Sequence, residues 1–304
     1  FMAGTKSWLD DLKLRVGYGV SGNSLGFDAY SAIQTYGASG WFTYTDGKQY
    51  RTLAATKNAN PNLKWEKTGM FNIGLDFAVL GSRLSGTIEY YNKKTSDLIY
   101  SYSVSLARYA YGWMNANVGD ISNKGIEITI NAVPVKTKDF QWQTSLNLSH
   151  NKNVVDKLSN QTYSVKYIDE ANPNLAGNST TCVQRIMEGE PIGTFYLWKF
   201  AGFNDAGKST FYVHDLDAHK NDDGSLKTDV SQLADGSYVT TAPVDGDRAK
   251  AGSAQPKLNM GWNNTLTYKN WSASCFFTGV FGNKIYNGSR AQYTSPEMFT
   301  NGKN

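Results

Sequence analysis

Residues 65 to 100 read WEKTGMFNIGLDFAVLGSRLSGTIEYYNKKTSDLIY, two long alternating runs joined by a short connection. In the first run Phe71, Ile73, Leu75, Phe77 and Val79 point one way while Asn72, Gly74 and Asp76 point the other, the period of a strand with one apolar face. In the second, Leu84, Gly86, Ile88 and Tyr90 alternate with Arg83, Ser85, Thr87 and Glu89. The two runs predict a β-hairpin. Each exceeds about nine residues, whereas strands of ordinary globular domains are usually about five or six, so their length favours strands that cross a bilayer.

The same pattern recurs along the chain. Leu12, Leu14, Val16, Tyr18 and Val20 alternate with Lys13, Arg15, Gly17 and Gly19 and end at the turn-forming SerGlyAsn of 21 to 23. Ile126, Ile128, Ile130 and Ala132 alternate with Glu127, Thr129 and Asn131. After a LysThrLysAsp turn, Phe140, Trp142, Leu146 and Leu148 alternate with Gln141, Gln143, Ser145 and Asn147. A third hairpin runs from Leu258, Met260, Trp262, Leu266 and Tyr268 through a tight LysAsn turn to Trp271, Ala273, Cys275, Phe277 and Phe281. Seven spans result, with irregular stretches expected from 24 to about 62, from 96 to 117 and from 151 to 256. The last of these must hold an even number of crossings, most simply none, and TyrLeuTrpLysPhe at 196 to 200 with ThrPheTyrVal at 210 to 213 predicts a hairpin inside it.

Short turns thus fall at one end of the strands and long loops at the other, as in outer-membrane barrels. Phe77, Phe140, Trp142, Tyr268 and Trp271 flank the short turns, as an interfacial girdle of aromatics requires. Seven strands leave two open edges, which a bilayer does not tolerate, so the sheet is expected to belong to something larger.

Composition agrees. Aromatics at 13 %, with 29 Gly and only 7 Pro, suit strands and turns better than helices. The mean hydropathy is negative and no run of about twenty apolar residues occurs, which excludes a helical membrane protein without excluding a barrel whose strands are half apolar. A net charge of +4 with no basic cluster interleaved with aromatics argues against a nucleic-acid partner. Cys182 and Cys275 lack CxxC spacing and read as small side chains rather than a zinc site, a redox pair or a disulfide. The opening FMAGTKSWLDD shows no basic segment followed by an apolar core, so an N-terminal part is expected to be missing.

Four features invite a chemical reading. GFNDAGKS at 202 to 209 satisfies the phosphate-loop pattern, but that loop works only where a helix N-terminus follows, and ThrPheTyrValHis predicts a strand, so an Asn/Asp/Gly turn is expected. GNSLG at 22 to 26 matches a nucleophile elbow with Ser24, and His150, His214 and His219 follow. The βα units that such a hydrolase needs do not. His214, Asp215, Asp217, His219, Asp222 and Asp223 crowd one loop without a calcium-loop register, and read as a solvated acidic loop. The remaining candidates are loop aromatics: Trp41, Phe42, Tyr44 and Tyr50 in one stretch, and Tyr109, Tyr111 and Trp113 in another. Of these Trp41, Tyr44, Tyr109, Tyr111 and Trp113 are the candidates for stacking on a ligand or a partner, against loop-to-loop packing as the plain alternative. No catalytic, cofactor or metal site is predicted.

Several stretches together carry a resemblance. LeuLysLeuArgValGlyTyrGly with SerGlyAsn at 12 to 23, AsnProAsnLeuLysTrpGluLys at 60 to 67, AsnIleGlyLeuAspPhe at 72 to 77 and TyrTyrAsnLysLysThrSerAspLeuIle at 90 to 99 are four of them. The others are AsnLysGlyIleGluIle at 123 to 128, GluGlyGluProIleGlyThrPheTyr at 188 to 196 and PheThrGlyValPheGlyAsnLysIleTyrAsn at 277 to 287. In these the chain resembles the C-terminal part of the barrel of SusC/RagA-type TonB-dependent transporters of Bacteroidetes outer membranes, and the likeness fades in the loops. The resemblance implies an all-β antiparallel transmembrane barrel of about 22 strands, of which residues 1 to 304 form about seven, with the plug domain and the last strands outside this chain. It further implies active import of an oligosaccharide, energised through TonB, ExbB and ExbD by way of the missing N-terminal part, under a SusD-like surface lipoprotein. A peptide importer of the same fold is the alternative substrate reading. A soluble β-sandwich carbohydrate-binding module and a Ser24 hydrolase are the rival classes.

Overall fold

The computed structural model describes residues 8–24, 30–160, 162–173 and 182–293. Seven antiparallel strands form one sheet in chain order: β1 (Leu9–Asn23), β2 (Glu66–Val79), β3 (Leu84–Ser103), β4 (Trp113–Lys136), β5 (Phe140–Lys157), β6 (Leu258–Tyr268) and β7 (Trp271–Phe281). These are the seven predicted spans. Their lengths, 11 to 24 residues, exceed what the apolar alternation alone marks out. The stretch from 96 to 117, expected to be irregular, is mostly strand: β3 runs to Ser103, β4 starts at Trp113, and only 104–112 connects them. Register shifts between Thr95 and Ile99 break the alternation there, and one face carries only small or sulfur-bearing apolar residues, Met114, Ala116 and Val118, between asparagines.

The register lays the apolar residues side by side. One row across all seven strands reads Leu14, Leu75, Ile88, Ile128, Leu148, Met260 and Gly279; the row below it reads Leu12, Phe77, Gly86, Ile130, Leu146, Trp262 and Phe277. The other face is polar, with Lys13, Asp76, Thr87, Thr129, Asn147, Gly261 and Thr278 in one row. On that face Arg15 donates to both oxygens of Asp76 at 2.8 and 3.0 Å and reaches Glu89 at 3.3 Å, while Thr87 donates to Asp76 at 2.9 Å. Gly86 is required at this position, since a Cβ there would lie 2.5 Å from the backbone Thr129 O and 2.8 Å from the Phe77 ring. Within its own unit the apolar face meets no second sheet among the described residues: Leu14, Val16 and Tyr18 are 66 %, 63 % and 75 % exposed. A β-sandwich would bury this face against a partner sheet, so that rival reading fails; a face this apolar and this open is built to meet an apolar medium.

Every short turn closes the same end. In the β2–β3 turn Leu80, Gly81 and Ser82 all take positive φ, a costly run for two side-chain-bearing residues, and it is held by Ser82 N donating to Asp10 and Leu80 N donating to Trp8 O. The β4–β5 turn is tied by Thr137 bonded to Phe140, and Lys269 in the β6–β7 turn donates to Asp139 O at 2.8 Å. Beside these turns Phe140, Tyr268 and Trp271 stand in one cross-strand row, and the indole N–H groups of Trp142 and Trp262 reach Asn264 and Thr144. Four of the five predicted girdle aromatics, Phe140, Trp142, Tyr268 and Trp271, thus stand beside the short turns, as the sequence pattern requires.

Two compact units divide the chain: Phe1–Tyr167 with Met187–Glu190 and Pro256–Gly282, which holds the large sheet, and Ile168–Ile186 with Pro191–Gln255 and Asn283–Asn304. In the first, the stretch from 24 to 62 is not wholly irregular, because Thr35–Thr43 and Gln49–Lys57 form a hairpin. In the second, two small four-stranded sheets form. One orders Ala249–Ser253, Thr194–Leu197, Gln184–Ile186 and Ile168–Glu170; the other orders Phe200–Phe203, Ser209–Tyr212, Tyr238–Thr240 and Val230–Gln232. Their strands of three to five residues are too short to cross a bilayer, and β5 pairs directly with β6, so the described residues of this excursion contain no crossing. The expected hairpin is there, but its first strand is Phe200–Phe203, and Tyr196 and Leu197 belong to the other sheet. No helix among the described residues is long and apolar enough to cross a membrane.

Candidate functional site

The loop end of β3 and β4 is shaped by a strap, residues 58–64, that the sequence writes as AsnAlaAsnProAsnLeuLys. A carboxamide offers a donor and an acceptor like a backbone amide, so asparagines can extend a ladder where no strand lies. Buried Asn58 donates to Tyr111 O and Trp113 O and accepts from Tyr111 N at 3.1 Å. Asn60 donates to Asn115 O at 2.7 Å. From β4, Asn117 donates to Lys64 O and Asp97 O and accepts from Lys64 N at 2.9 Å, beside a Lys64–Asp97 ion pair of 2.9 Å.

The two faces of this strand end differ. On one, Tyr102, Met114, Ala116 and Val118 are buried, with Tyr100 and Tyr163 packed on them; Tyr102 and Tyr163 rings lie 5.4 Å apart. The buried Tyr102 hydroxyl donates to Leu158 O at 3.1 Å. On the opposite face Ser101 and Asn115 are directly paired, next to Trp113. They open into a cavity of about 210 Å³ whose lining also includes Thr56, Asn58 and Tyr111.

Of the five predicted aromatics, Tyr111 and Trp113 come together at this cavity, each exposed in part. Trp41 and Tyr44 do not share a face. Trp41 lies under the Arg51 guanidinium at 5.7 Å, while Tyr44 makes edge contacts at 6.3 Å with Phe42 and with Tyr50 on the other side of the hairpin. Tyr109 sits in the 104–112 turn, its N–H donating to Ser105 O, with Arg108 over its ring. Ser101, Asn115 and Asn58 are absent from the sequence-derived set; the strap's trace is Asn at alternate positions 58, 60 and 62 around Pro61, overlapping the AsnProAsnLeuLysTrpGluLys stretch.

The tempting motifs resolve into turns and packing. Residues 204–208 are a hairpin loop in which Asn204 accepts from Ala206 N and Lys208 N, and Ser209–Tyr212 continues as a strand, so the phosphate-loop pattern has no helix behind it. Ser24 follows β1, but Leu25 and Gly26 of the elbow pattern lie outside the described residues, and no βα unit occurs among the described ones. His150 Nδ1 is engaged with Lys257 O at 2.6 Å.

The loop from 214 to 223 is not merely solvated. His219 is buried, and its Nε2 bonds Asp247 Oδ2 at 2.6 Å; Asp247, fully buried, also accepts from the backbone N–H groups of His214, Asp215 and Val244. Burial raises the Asp247 carboxyl, but these hydrogen bonds outweigh it and hold the group below the usual carboxylate range. Nearby, Arg185 donates to Asp245 at 2.6 Å and to Asp169 at 2.8 Å, lies 4.8 Å from the Tyr196 ring centre, and packs the small sheet from within. No group of three or more His, Cys, Asp and Glu side chains among the described residues is placed to hold a metal ion.

Comparison with known proteins agrees with this architecture. The TonB-dependent receptor SusC of Bacteroides thetaiotaomicron is 30% identical over 297 residues, covering 96% of this chain and 27% of that protein. The TonB-dependent receptor P3 of Formosa agariphila is 31% identical over 295 residues, covering 94% of this chain and 28% of that protein. A solved structure of the RagAB peptide transporter superposes with a TM-score of 0.70 over 92% of this chain and 28% of that chain, at 23% identity, a likeness of fold. The chain thus spans just over a quarter of the length of the relatives it matches. The family model for the TonB dependent receptor-like β-barrel matches residues 5–296, and the chain belongs to that family.

Proposed function

We propose that this chain is a wall segment of an outer-membrane barrel through which a Gram-negative bacterium of the Bacteroidetes imports a nutrient oligosaccharide, with energy supplied through TonB. The observation that carries the proposal is the two-faced seven-strand sheet, apolar and open on one side, polar on the other, with every short turn at one end. Among the described residues β1 and β7 have no second neighbour, and unpaired edges are not tolerated in lipid, so further strands of a longer protein close the barrel. Residues 1–304 then supply only barrel, and the plug and the contacts with TonB, ExbB and ExbD lie elsewhere in that protein.

Trp41, Tyr44, Tyr109, Tyr111 and Trp113 are the residues proposed to meet substrate or a SusD-like surface lipoprotein, since all five stand at the loop end of the sheet. At Tyr111 and Trp113, aromatic rings beside uncharged amides and hydroxyls suit a sugar, whose ring faces stack and whose hydroxyls both donate and accept. A peptide offers backbone amides to the same groups and is the second reading. Uptake of fluorescent oligosaccharides and of fluorescent peptides by cells carrying the complete protein separates them. Oligosaccharide uptake that disappears on deleting the protein and on collapsing the proton gradient is the expected result. Uptake of peptides alone transfers the proposal to the second reading, and uptake of neither overturns both.

A further inference from the structure

The cavity beside the strap holds more chemistry than its two rings. Asn58 has committed its whole carboxamide to Tyr111 and Trp113, and Thr56 bonds Thr35 at 2.8 Å, so these two build the wall. Four other side chains that line the cavity carry no hydrogen bond to another described residue: the Ser101 and Tyr111 hydroxyls, the Asn115 carboxamide and the Trp113 indole N–H. All four are uncharged, and between them they offer both donors and acceptors. Lys57, the one charged lining residue, is itself engaged.

Size narrows the ligand. Pockets for drug-sized ligands start at about 300 Å³, and this one, at about 210 Å³, takes a single ring rather than a run of linked units. The floor is rigid, because Ser101 and Asn115 are paired in the ladder and Asn60 pins the Asn115 carbonyl. We infer that the cavity is a subsite for one neutral sugar ring, stacked on the Trp113 or Tyr111 ring and hydrogen-bonded by Asn115 and Ser101. The inference rests on the oligosaccharide-import reading and adds to it the position and the size of the unit recognised.

The test uses the complete protein in detergent, titrated calorimetrically with the methyl glycosides of glucose, galactose, mannose and N-acetylglucosamine, and with methyl glucuronide and N-acetylalanine amide as charged and peptidic controls. At least one neutral glycoside binds, and Asn115→Ala and Ser101→Ala each weaken it about tenfold, the usual consequence of removing one partner of a desolvated hydrogen bond. Trp113→Phe retains binding better than Trp113→Ala, while the thermal midpoints of the two serine and asparagine variants stay at the wild-type value. The inference is overturned if no neutral glycoside binds, if binding ignores both Asn115→Ala and Ser101→Ala, or if a control binds more tightly. Because uptake is measured separately in cells, uptake that persists while the cavity binds nothing removes the subsite and leaves the import reading standing.

Discussion

Asp247 shows what a single residue contributes and why it was hidden. It accepts hydrogen bonds from His219 and from three backbone amides, and these keep its carboxyl below the ordinary value despite burial. A carboxyl depressed in the folded state adds stability that is present above its unfolded pKa, about 3.9, and is lost as pH falls through the folded value. Asp247→Asn removes the charge, and the lost charge-assisted bonds cost about 1–3 kcal/mol. Limited proteolysis of the excursion between β5 and β6, in the complete protein, reads this out: the variant is cut faster than wild type at neutral pH, and the gap narrows as pH falls toward the carboxylate range. A gap that widens on acidification contradicts the assignment. The sequence marks the crowding from His214 to Asp223 but not the partner, because Asp247 lies 28 residues beyond His219 and looks like one more loop acid. The Asn58 strap was hidden for a related reason: its acceptors are main-chain carbonyls at Tyr111 and Trp113, which leave no signature in side-chain type.

At the scale of the element, the strands were legible wherever burial on one face forced a period of two. Ile126, Ile128 and Ile130 fix the face of β4, and the register confirms it by placing Ile130 between Gly86 and Leu146 while Asn131 sits between Ser85 and Ser145. Before Ile121 that period is broken, since β3 and β4 slip past one another between Thr95 and Ile99, and the buried face there is made of Tyr102, Met114, Ala116 and Val118 rather than of a run of Ile and Leu. That is why the extension of β3 to Ser103 and the early start of β4 at Trp113 were not readable. The two faces of β4 make a quantitative prediction. Arg placed on the outer face near the middle of a barrel costs about 2–4 kcal/mol, whereas the polar face already solvates charge. Denaturant titration of the complete barrel in lipid vesicles gives Ile130→Arg this penalty and Asn131→Arg much less; equal penalties mean the faces are assigned wrongly.

At the scale of the whole molecule, the architecture was readable from the placement of turns, because hairpins of two to four connecting residues at one end and long excursions at the other follow from the chain order alone. The internal build of the excursion was not, because strands of three to five residues hold too few alternations to declare a face. The central claim is that the seven-strand sheet is a barrel wall with its apolar face in lipid and its polar face toward an aqueous lumen. Spin labels at adjacent positions test it most directly. In the complete protein reconstituted in vesicles, with Cys182 and Cys275 replaced by Ser, single cysteines are introduced at Ile88, Glu89, Ile130 and Asn131, labelled, and exposed in turn to oxygen, which concentrates in lipid, and to a water-soluble nickel chelate. The account predicts that labels at Ile88 and Ile130 relax with oxygen and those at Glu89 and Asn131 with nickel. Nickel access at all four positions, or oxygen access at the Glu89 and Asn131 sites and not at the isoleucine sites, contradicts it.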